Sequence, residues 1–310
     1  MSFSMDIKQE LIKIDVEARH CQIAELTAIL TGCCDIRLLY GNYAIRLISE
    51  SKPVVVRFEY LIDKLFGVKV PCLMRNSKQY ALYITDHKLA LKVLQITKVV
   101  DISSEICENI VSVSRTIISG DCCKRAYLRA GFLGFGSMSD PNKIYHLEFV
   151  CKTKDRADML CEMIESLGIK VRSIIRKNNY LVYIKESKDI VDLLGYMGAH
   201  RALLELMNVR VVKTVRNDVN RRVNCEAANL NKIISASVKE IEDIRYIFET
   251  KGMDYLPENL REIAKIRLEN PESSLKEIGQ MLEPPLGKSG VNHRLKKIST
   301  IVEELRGKDN

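Results

Sequence analysis

The chain has no apolar run approaching the roughly 18 residues that a membrane-spanning helix requires. Nor does its amino terminus, MSFSMDIKQELIKID, hold the uninterrupted apolar core of a secretory signal, because charged residues fall where that core belongs. These two absences predict a cytoplasmic protein with no membrane partner. Among the ten cysteines there is no CxxC followed by a distant CxxC or HxxxH, the spacing that marks zinc modules. Only Cys33-Cys34 and Cys122-Cys123 are close in sequence, and adjacent cysteines rarely bridge each other. The others, such as Cys21, Cys72, Cys107, Cys161 and Cys225, fall inside apolar helix and strand patterns. All are read as small buried hydrophobes in a reducing compartment, and neither a metal nor another cofactor is expected. His146 and His200 have no serine or cysteine nucleophile setting beside them, so partly buried structural roles are expected and not a catalytic pair.

What is present suits two domains. At 310 residues, with 46% hydrophobic side chains, the chain is long enough to bury separate cores. Its 48 Lys and Arg against 40 Asp and Glu leave a net charge of +8, a basic tilt that suits a polyanion without a histone-like tail.

Through the first two thirds one order of elements occurs twice. Residues 20–31 have a helical period, with Ile23, Leu26 and Leu30 on one face, and run into Gly32-Cys33-Cys34-Asp35. Residues 36–48 predict a hairpin turning at Gly41-Asn42. A helix over 54–65, strands over 68–75 and 79–85, and a helix over 88–96 follow. From residue 122 the order returns: a helix to 133 ending in Gly134-Phe135-Gly136-Ser137, a strand over 144–151, a helix over 154–167, strands over 169–176 and 180–185, and a helix over 190–197. MRNSKQYALYIT from Met74 and IRKNNYLVYIKE from Ile175 echo each other. A tandem duplication is predicted, with copies at about 20–97 and 121–208 joined by 98–120. The first helix of each copy should form the seam, since both end in small residues that let backbones approach. Arg75, Lys78, Arg172, Arg176 and Lys177 are strand or turn cations in corresponding places, for which a solvated surface and a contact with DNA or protein are equal alternatives.

A polar stretch over 211–225 is expected as a linker between a domain at 1–210 and one at 226–310. Its Arg216, Arg221 and Arg222 are candidates for auxiliary phosphate contacts, with a plain hinge as the alternative. Residues 227–249 then predict a long helix with Leu230, Ile233, Ile234, Val238, Ile241, Ile244 and Ile247 on the face toward the carboxy-terminal core.

That core is a helix-turn-helix pattern over 260–298. Asn270-Pro271 closes one helix. Ser274 with Glu277 forms a capping-box signature for the next, whose apolar face is Leu275, Ile278 and Leu282. Pro284 and Pro285 prevent its continuation, and Gly287 loosens the turn. In the last helix Val291, Leu295, Ile298, Val302 and Leu305 recur at spacings of three and four and should face inward. The outward side carries Lys288, Ser289, Asn292, His293, Arg294, Lys296 and Lys297, and 288–297 contains no acid. Asn292 and Arg294 suit bidentate pairing with adenine and guanine edges, each good pair contributing about 1–3 kcal/mol of discrimination. Lysines suit phosphates. With Ser274 and Lys276 at the preceding helix start, these are the candidate DNA-binding residues, and double-stranded DNA is the expected partner.

The duplicated unit resembles the LAGLIDADG homing endonuclease fold. Arg129-Ala130-Gly131-Phe132-Leu133-Gly134-Phe135-Gly136-Ser137 has the shape of its motif, and Thr27-Ala28-Ile29-Leu30-Thr31-Gly32-Cys33-Cys34-Asp35 is a weaker counterpart. In combination with LREIAKIRLENPESSLKEIGQMLEPPLGKSGVNHRLKK, and with RAYLRAGFLGFGSMSDPNKIYHLEF and NRRVNCEAANLNKII, the chain resembles the WhiA family of regulators of sporulation and cell division in Gram-positive bacteria. The resemblance covers nearly the whole chain. It implies an α+β fold, a pseudo-twofold duplicated LAGLIDADG-like domain followed by an all-α helix-turn-helix domain, in a nucleoid-associated transcription regulator that binds promoter DNA. Because a lone helix-turn-helix reads only a few base pairs, a dimer or a partner such as RNA polymerase is also expected, and a division or chromosome protein is the partner that the duplicated domain would dock as a scaffold. A nuclease of this fold needs metal-binding carboxylates where the seam helices end. Letter against letter, those slots hold Cys34 and Gly136, so no enzymatic activity is expected. Asp35 and Asp140 fall past the slots. The alternatives are an interaction scaffold with secondary DNA binding and, further off, a metal-dependent endonuclease.

Overall fold

The computed structural model describes residues 2–76, 79–99 and 113–308. Cys107, Lys78, the Ser77 turn position and most of the 98–120 connection lie outside them, as does the side chain of Arg75. The chain forms two compact units, Met1–Lys213 and Thr214–Asn310.

The first unit opens with α1 (Phe3–Leu11), an amphipathic helix capped by Ser2 that buries Phe3, Ile7 and Leu11. The first copy then runs α2 (Arg19–Cys33), β1 (Cys34–Leu39), β2 (Asn42–Ser49), α3 (Lys52–Phe66), β3 (Leu73–Asn76), β4 (Gln79–Ile84) and α4 (His87–Thr97). The second repeats it as α5 (Asp121–Phe135), β5 (Gly136–Met138), β6 (Leu147–Cys151), α6 (Lys154–Glu165), β7 (Arg172–Arg176), β8 (Asn179–Ile184) and α7 (Ser187–Met197). Both sheets are antiparallel with one topology, β1-β2-β4-β3 and β5-β6-β8-β7. The duplication is thus present in the fold as well as in the letters.

Several boundaries differ from those expected. The first hairpin turns at Tyr40-Gly41, both with positive φ, and pairs Leu39 with Asn42. This is the two-residue turn whose twist matches the strands, one position earlier than Gly41-Asn42. Lys177-Asn178 turns the β7–β8 hairpin in the same way. The strand expected over 68–75 shrinks to β3, because residues 68–72 find no ladder partner.

The seam is α2 against α5. Residues Ala24 to Thr31 of α2 are all buried, as expected of a helix covered on every side. The two helices run in the same direction, with His20 near Cys123 at one end and Cys33 near Gly134 at the other. A Cβ on Gly134 would strike the Cys33 sulfur, and one on Gly32 would strike the Phe135 ring, so glycine is what lets the helices close there. Glu25, fully buried in α2, accepts from Arg57 Nε at 2.7 Å and from Arg129 Nη1 at 3.1 Å, while Arg129 Nε donates to the Met197 carbonyl at 2.9 Å. Burial pushes the Glu25 carboxyl up despite both guanidiniums. This buried ionic group links one copy to the other.

Not every cysteine is buried. Cys21, Cys123 and Cys151 are, whereas Cys122 and Cys225 are exposed, against the expectation that all serve as small core residues. His200 is exposed at the start of the next helix, while His146 is half-buried against Glu148 (3.0 Å) and the Tyr183 ring.

The stretch 211–225, expected as a linker, is helical inside α8 (His200–Thr250). Those 51 residues contain neither proline nor glycine, so nothing interrupts the backbone ladder. In the first unit α8 contributes Ala202 and Leu206 to the core. In the second it contributes Ile244 and Ile247, but Leu230, Ile233, Ile234 and Val238, expected on the inward face, are exposed. The apolar period is real there, and among the described residues these four side chains stand exposed.

The second unit is completed by α9 (Glu258–Glu269), α10 (Leu275–Gln280) and α11 (Lys288–Lys308). Its core holds Ile263, Ile278 and Leu282 together with Val291, Leu295, Ile298, Val302 and Leu305, the five positions expected to face inward from the last helix.

Candidate nucleic-acid interface

The interface begins with a cap. Ser274 Oγ accepts from the Glu277 backbone N–H, and the Glu277 carboxylate accepts from Ser274 N at 2.7 Å, so both orphan donors of the first turn of α10 are satisfied. These bonds hold the Glu277 carboxyl below the usual carboxylate range. Beneath α10, Arg267 is buried against Glu240 at 2.9 Å and donates to the Ser273 carbonyl at 2.6 Å, while Ser237 Oγ donates to the Pro271 carbonyl at 2.7 Å. The loop ahead of the cap is therefore held to α9 by a charge-assisted bond and to α8 by a hydroxyl bond. At the other end Leu286 N donates to the Gly279 carbonyl, and a Cβ on Gly279 would meet the Leu286 carbonyl oxygen. Glycine there permits the tight return from α10 into α11.

That return places the first turn of α11 beside the first turn of α10. A shallow concavity between them is lined by Leu275, Lys288, Ser289 and Asn292. Ser274 and Lys276 are exposed on α10, and His293, Lys296 and Lys297 continue along the exposed side of α11. All nine expected residues thus lie on α11 or on α10 and its cap, with exposed or half-exposed side chains. Arg294 stands apart: it is half-buried on the other flank of α11, where Nη1 donates to the Asn259 carbonyl at the start of α9 at 3.2 Å. Its spacing gave no sign of this, because the acceptor is a backbone atom 35 residues away.

Arg216, Arg221 and Arg222 are exposed on α8, with Arg221 paired to Asp218 one turn before it. In the first unit, Arg172, Arg176 and Lys177 lie on an exposed strand and turn.

Cys34 and Gly136 occupy matching positions, each the residue that closes a seam helix and opens a strand. Neither offers a carboxylate, and burial holds the Cys34 thiol well above its usual range. Asp35, next along, is ion-paired with its cross-strand neighbour Arg46, while its counterpart Ser137 donates to Glu148 at 3.1 Å. Asp140 lies in the loop beyond β5 and accepts from Asn142 N.

Comparison with known proteins places these two units. A family model described as the WhiA C-terminal HTH domain matches residues 219–302, and one described as the WhiA LAGLIDADG-like domain matches residues 124–216, which is the second copy. A protein of Thermoanaerobacter pseudethanolicus named "Probable cell division protein WhiA" is 45% identical, over 99% of this chain and 98% of its own. The chain belongs to the WhiA family. A relative of the same name from Alkaliphilus oremlandii is 43% identical over equal shares. The crystal structure of full-length DUF199/WhiA from Thermatoga maritima has the same fold, at a TM-score of 0.58 and 27% identity, covering 98% of this chain and 99% of that one. Family membership thus agrees with the duplicated α+β unit and the helical carboxy-terminal unit, and makes the second unit a helix-turn-helix of the WhiA type. Among the described residues no helix is long and apolar enough to cross a membrane.

Proposed function

We propose that this chain is a DNA-binding regulator without enzymatic activity, acting on cell division, chromosome segregation or sporulation by binding promoter DNA through α10 and α11. The observation that carries the reading is the exposed side of α11: from Lys288 to Lys297 it has no acid, and it starts beside a capped helix amino terminus. The first turn of α11 adds the partial positive charge of a helix start, which favours a phosphate nearby. Exposed lysines supply the salt-dependent part of affinity. The naming of relatives as cell division proteins supports the process assigned.

In this reading Asn292, with Ser289 and His293, faces base edges. Lys276, Lys288, Lys296 and Lys297 hold phosphates, joined by Arg216, Arg221 and Arg222 as auxiliary contacts. Arg294 braces α11 against α9 and reaches a base only by leaving the Asn259 carbonyl. A lone helix-turn-helix reads few base pairs, so a second copy, RNA polymerase or a division or chromosome protein would supply the remaining selectivity. The protein would act in the cytoplasm, at the nucleoid.

Footprinting of genomic fragments across a salt series tests this. Asn292→Ala should relax sequence preference at one position by about 1–3 kcal/mol. Lys297→Ala should weaken all sequences alike and flatten the logarithmic salt slope by about one. Equal losses from both variants on every sequence would overturn the assignment.

A further inference from the structure

At the end of the seam opposite Cys34 and Gly136, the first turns of α2 and α5 bring four soft donors together. His20 Nδ1 lies 3.2 Å from Cys123 Sγ, 3.3 Å from Cys21 Sγ and 4.0 Å from Cys122 Sγ. All four donor atoms fall within 4.8 Å of one another. They come as two adjacent pairs, His20-Cys21 and Cys122-Cys123, each at the second and third residues of its helix. The pseudo-twofold relation between the copies therefore builds the cluster, with half from each copy.

We propose that His20, Cys21, Cys122 and Cys123 form a structural zinc site that ties the two copies together at the amino-terminal end of the seam.

Three lines of physical chemistry support it. Zinc bonds of about 2.3 Å to sulfur and about 2.0–2.1 Å to nitrogen imply tetrahedral donor separations of about 3.4–3.8 Å, which the observed spacings bracket. The ion enters with small side-chain adjustments. Three thiols and an imidazole prefer a borderline-soft cation to magnesium or calcium. All four positions are filled by protein, the arrangement of a structural site and not of a catalytic one. Burial and the crowding of thiols push the Cys21 and Cys123 thiols up in the metal-free chain, and the partial positive charge of the two converging helix starts works against that. Cys21 and Cys123 are buried anchors, whereas His20 and Cys122 are exposed and leave a path of entry. Tyr196 Oη donates to the Asp121 carbonyl at 2.8 Å and so steadies the first turn of α5. On binding, each coordinating thiol releases its proton to solvent, and no electron moves.

The full chain, reduced and stripped of metal, is titrated with Zn²⁺ against a colorimetric chelator and with Co²⁺ by absorption. One ion per chain is expected, with the thiolate charge-transfer and intense visible bands of tetrahedral cobalt. The exposed substitutions His20→Ala and Cys122→Ser leave the core intact and should each lower zinc affinity by more than the about 10–100-fold that loss of a supporting group costs. Cys225→Ser, on an exposed helix elsewhere, should change nothing. Zinc should also raise the unfolding temperature of the unaltered chain but not of the His20→Ala/Cys122→Ser double variant. Absence of binding by the reduced chain, cobalt bands that persist in the double variant, or recovery of these cysteines only as a disulfide that takes no metal after reduction would each overturn the proposal.

Discussion

Lys8 shows how much one side chain can set against the fold. It projects from α1 over the Phe132 ring, 5.9 Å from ammonium to centroid, and burial pulls its amine from the ordinary 10.5 down to about 8, with the Cys33 thiol pulling weakly the other way. Below pH 8 the folded and unfolded chains both carry the proton, so the fold bears the whole cost of a desolvated ammonium. Between 8 and 10.5 the unfolded chain binds more protons, and stability rises with pH until it levels off above 10.5. A depression of this size corresponds to about 3 kcal/mol, and partial exposure reduces the expected effect to about 1–2 kcal/mol. Lys8→Met, which keeps the length and removes the charge, should therefore stabilise the protein by that amount at pH 7 and abolish the rise. Urea denaturation at pH 7, 8, 9 and 10 measures it; identical curves for both proteins would refute the account. None of this was legible in the letters. A lysine in MSFSMDIKQELIKID looks like any solvated charge, and its burial depends on Phe132, which is remote in sequence. The same holds for Glu25 with Arg57 and Arg129, and for His20-Cys21 with Cys122-Cys123: spacing rules find ligands on one turn of chain, whereas these groups meet only through tertiary packing, within the first copy for Arg57 and between the copies for the others.

Among elements, those with a local cause were read most accurately. The cap of α10 was legible because Ser274 and Glu277 satisfy each other within one turn, and the inward face of α11 because five apolar residues keep one period over almost the whole helix. Ser274→Ala removes an acceptor and should cost about 1 kcal/mol of stability, whereas Ser274→Asp should retain most of it. Since this turn also positions Lys276 and the concavity of α11, the alanine variant should bind DNA more weakly and the aspartate variant should retain the stability but lose some affinity through its charge. Thermal unfolding together with a DNA titration separates the two effects; a fully stable alanine variant would show that the cap is dispensable. Where causes are not local, the reading failed. Helix α8 passes through 211–225 because polar residues without proline or glycine are no barrier to a helix, and polarity by itself marks no break. Its residues Leu230 to Val238 have the period of a buried face, yet period says only that apolar side chains share a side and not that anything covers them. Strand β5, three residues long, is too short for alternation to register and exists through its pairing with β6.

At the scale of the whole molecule, the repeat was visible because each copy must build the same sheet, and the pattern of turns and apolar residues carries that requirement twice. Two separate cores then divide the labour. The first unit buries the seam, Phe58, Tyr127, Phe132 and Phe149; the second has its own cluster around Ile263, Val291 and Ile298. Separate cores imply separate unfolding transitions and separable activities. A chain ending at Lys213 should keep the cooperative unfolding of the first unit yet lose promoter binding, and the 214–310 fragment should still bind DNA with the salt slope of the intact protein, since the basic face of α11 lies wholly within it. Neither should nick supercoiled plasmid in Mg²⁺ or Mn²⁺: Cys34 and Gly136 leave no acid at the seam ends, and Asp35 is engaged by Arg46. Gel-shift and plasmid assays on the three proteins decide the matter. If the chain ending at Lys213 bound promoter fragments as tightly as the whole, recognition would belong to the duplicated unit. If nicking appeared and disappeared with Asp35→Ala, the carboxylate beyond the helix end would have taken over the role that the vacant slots deny it.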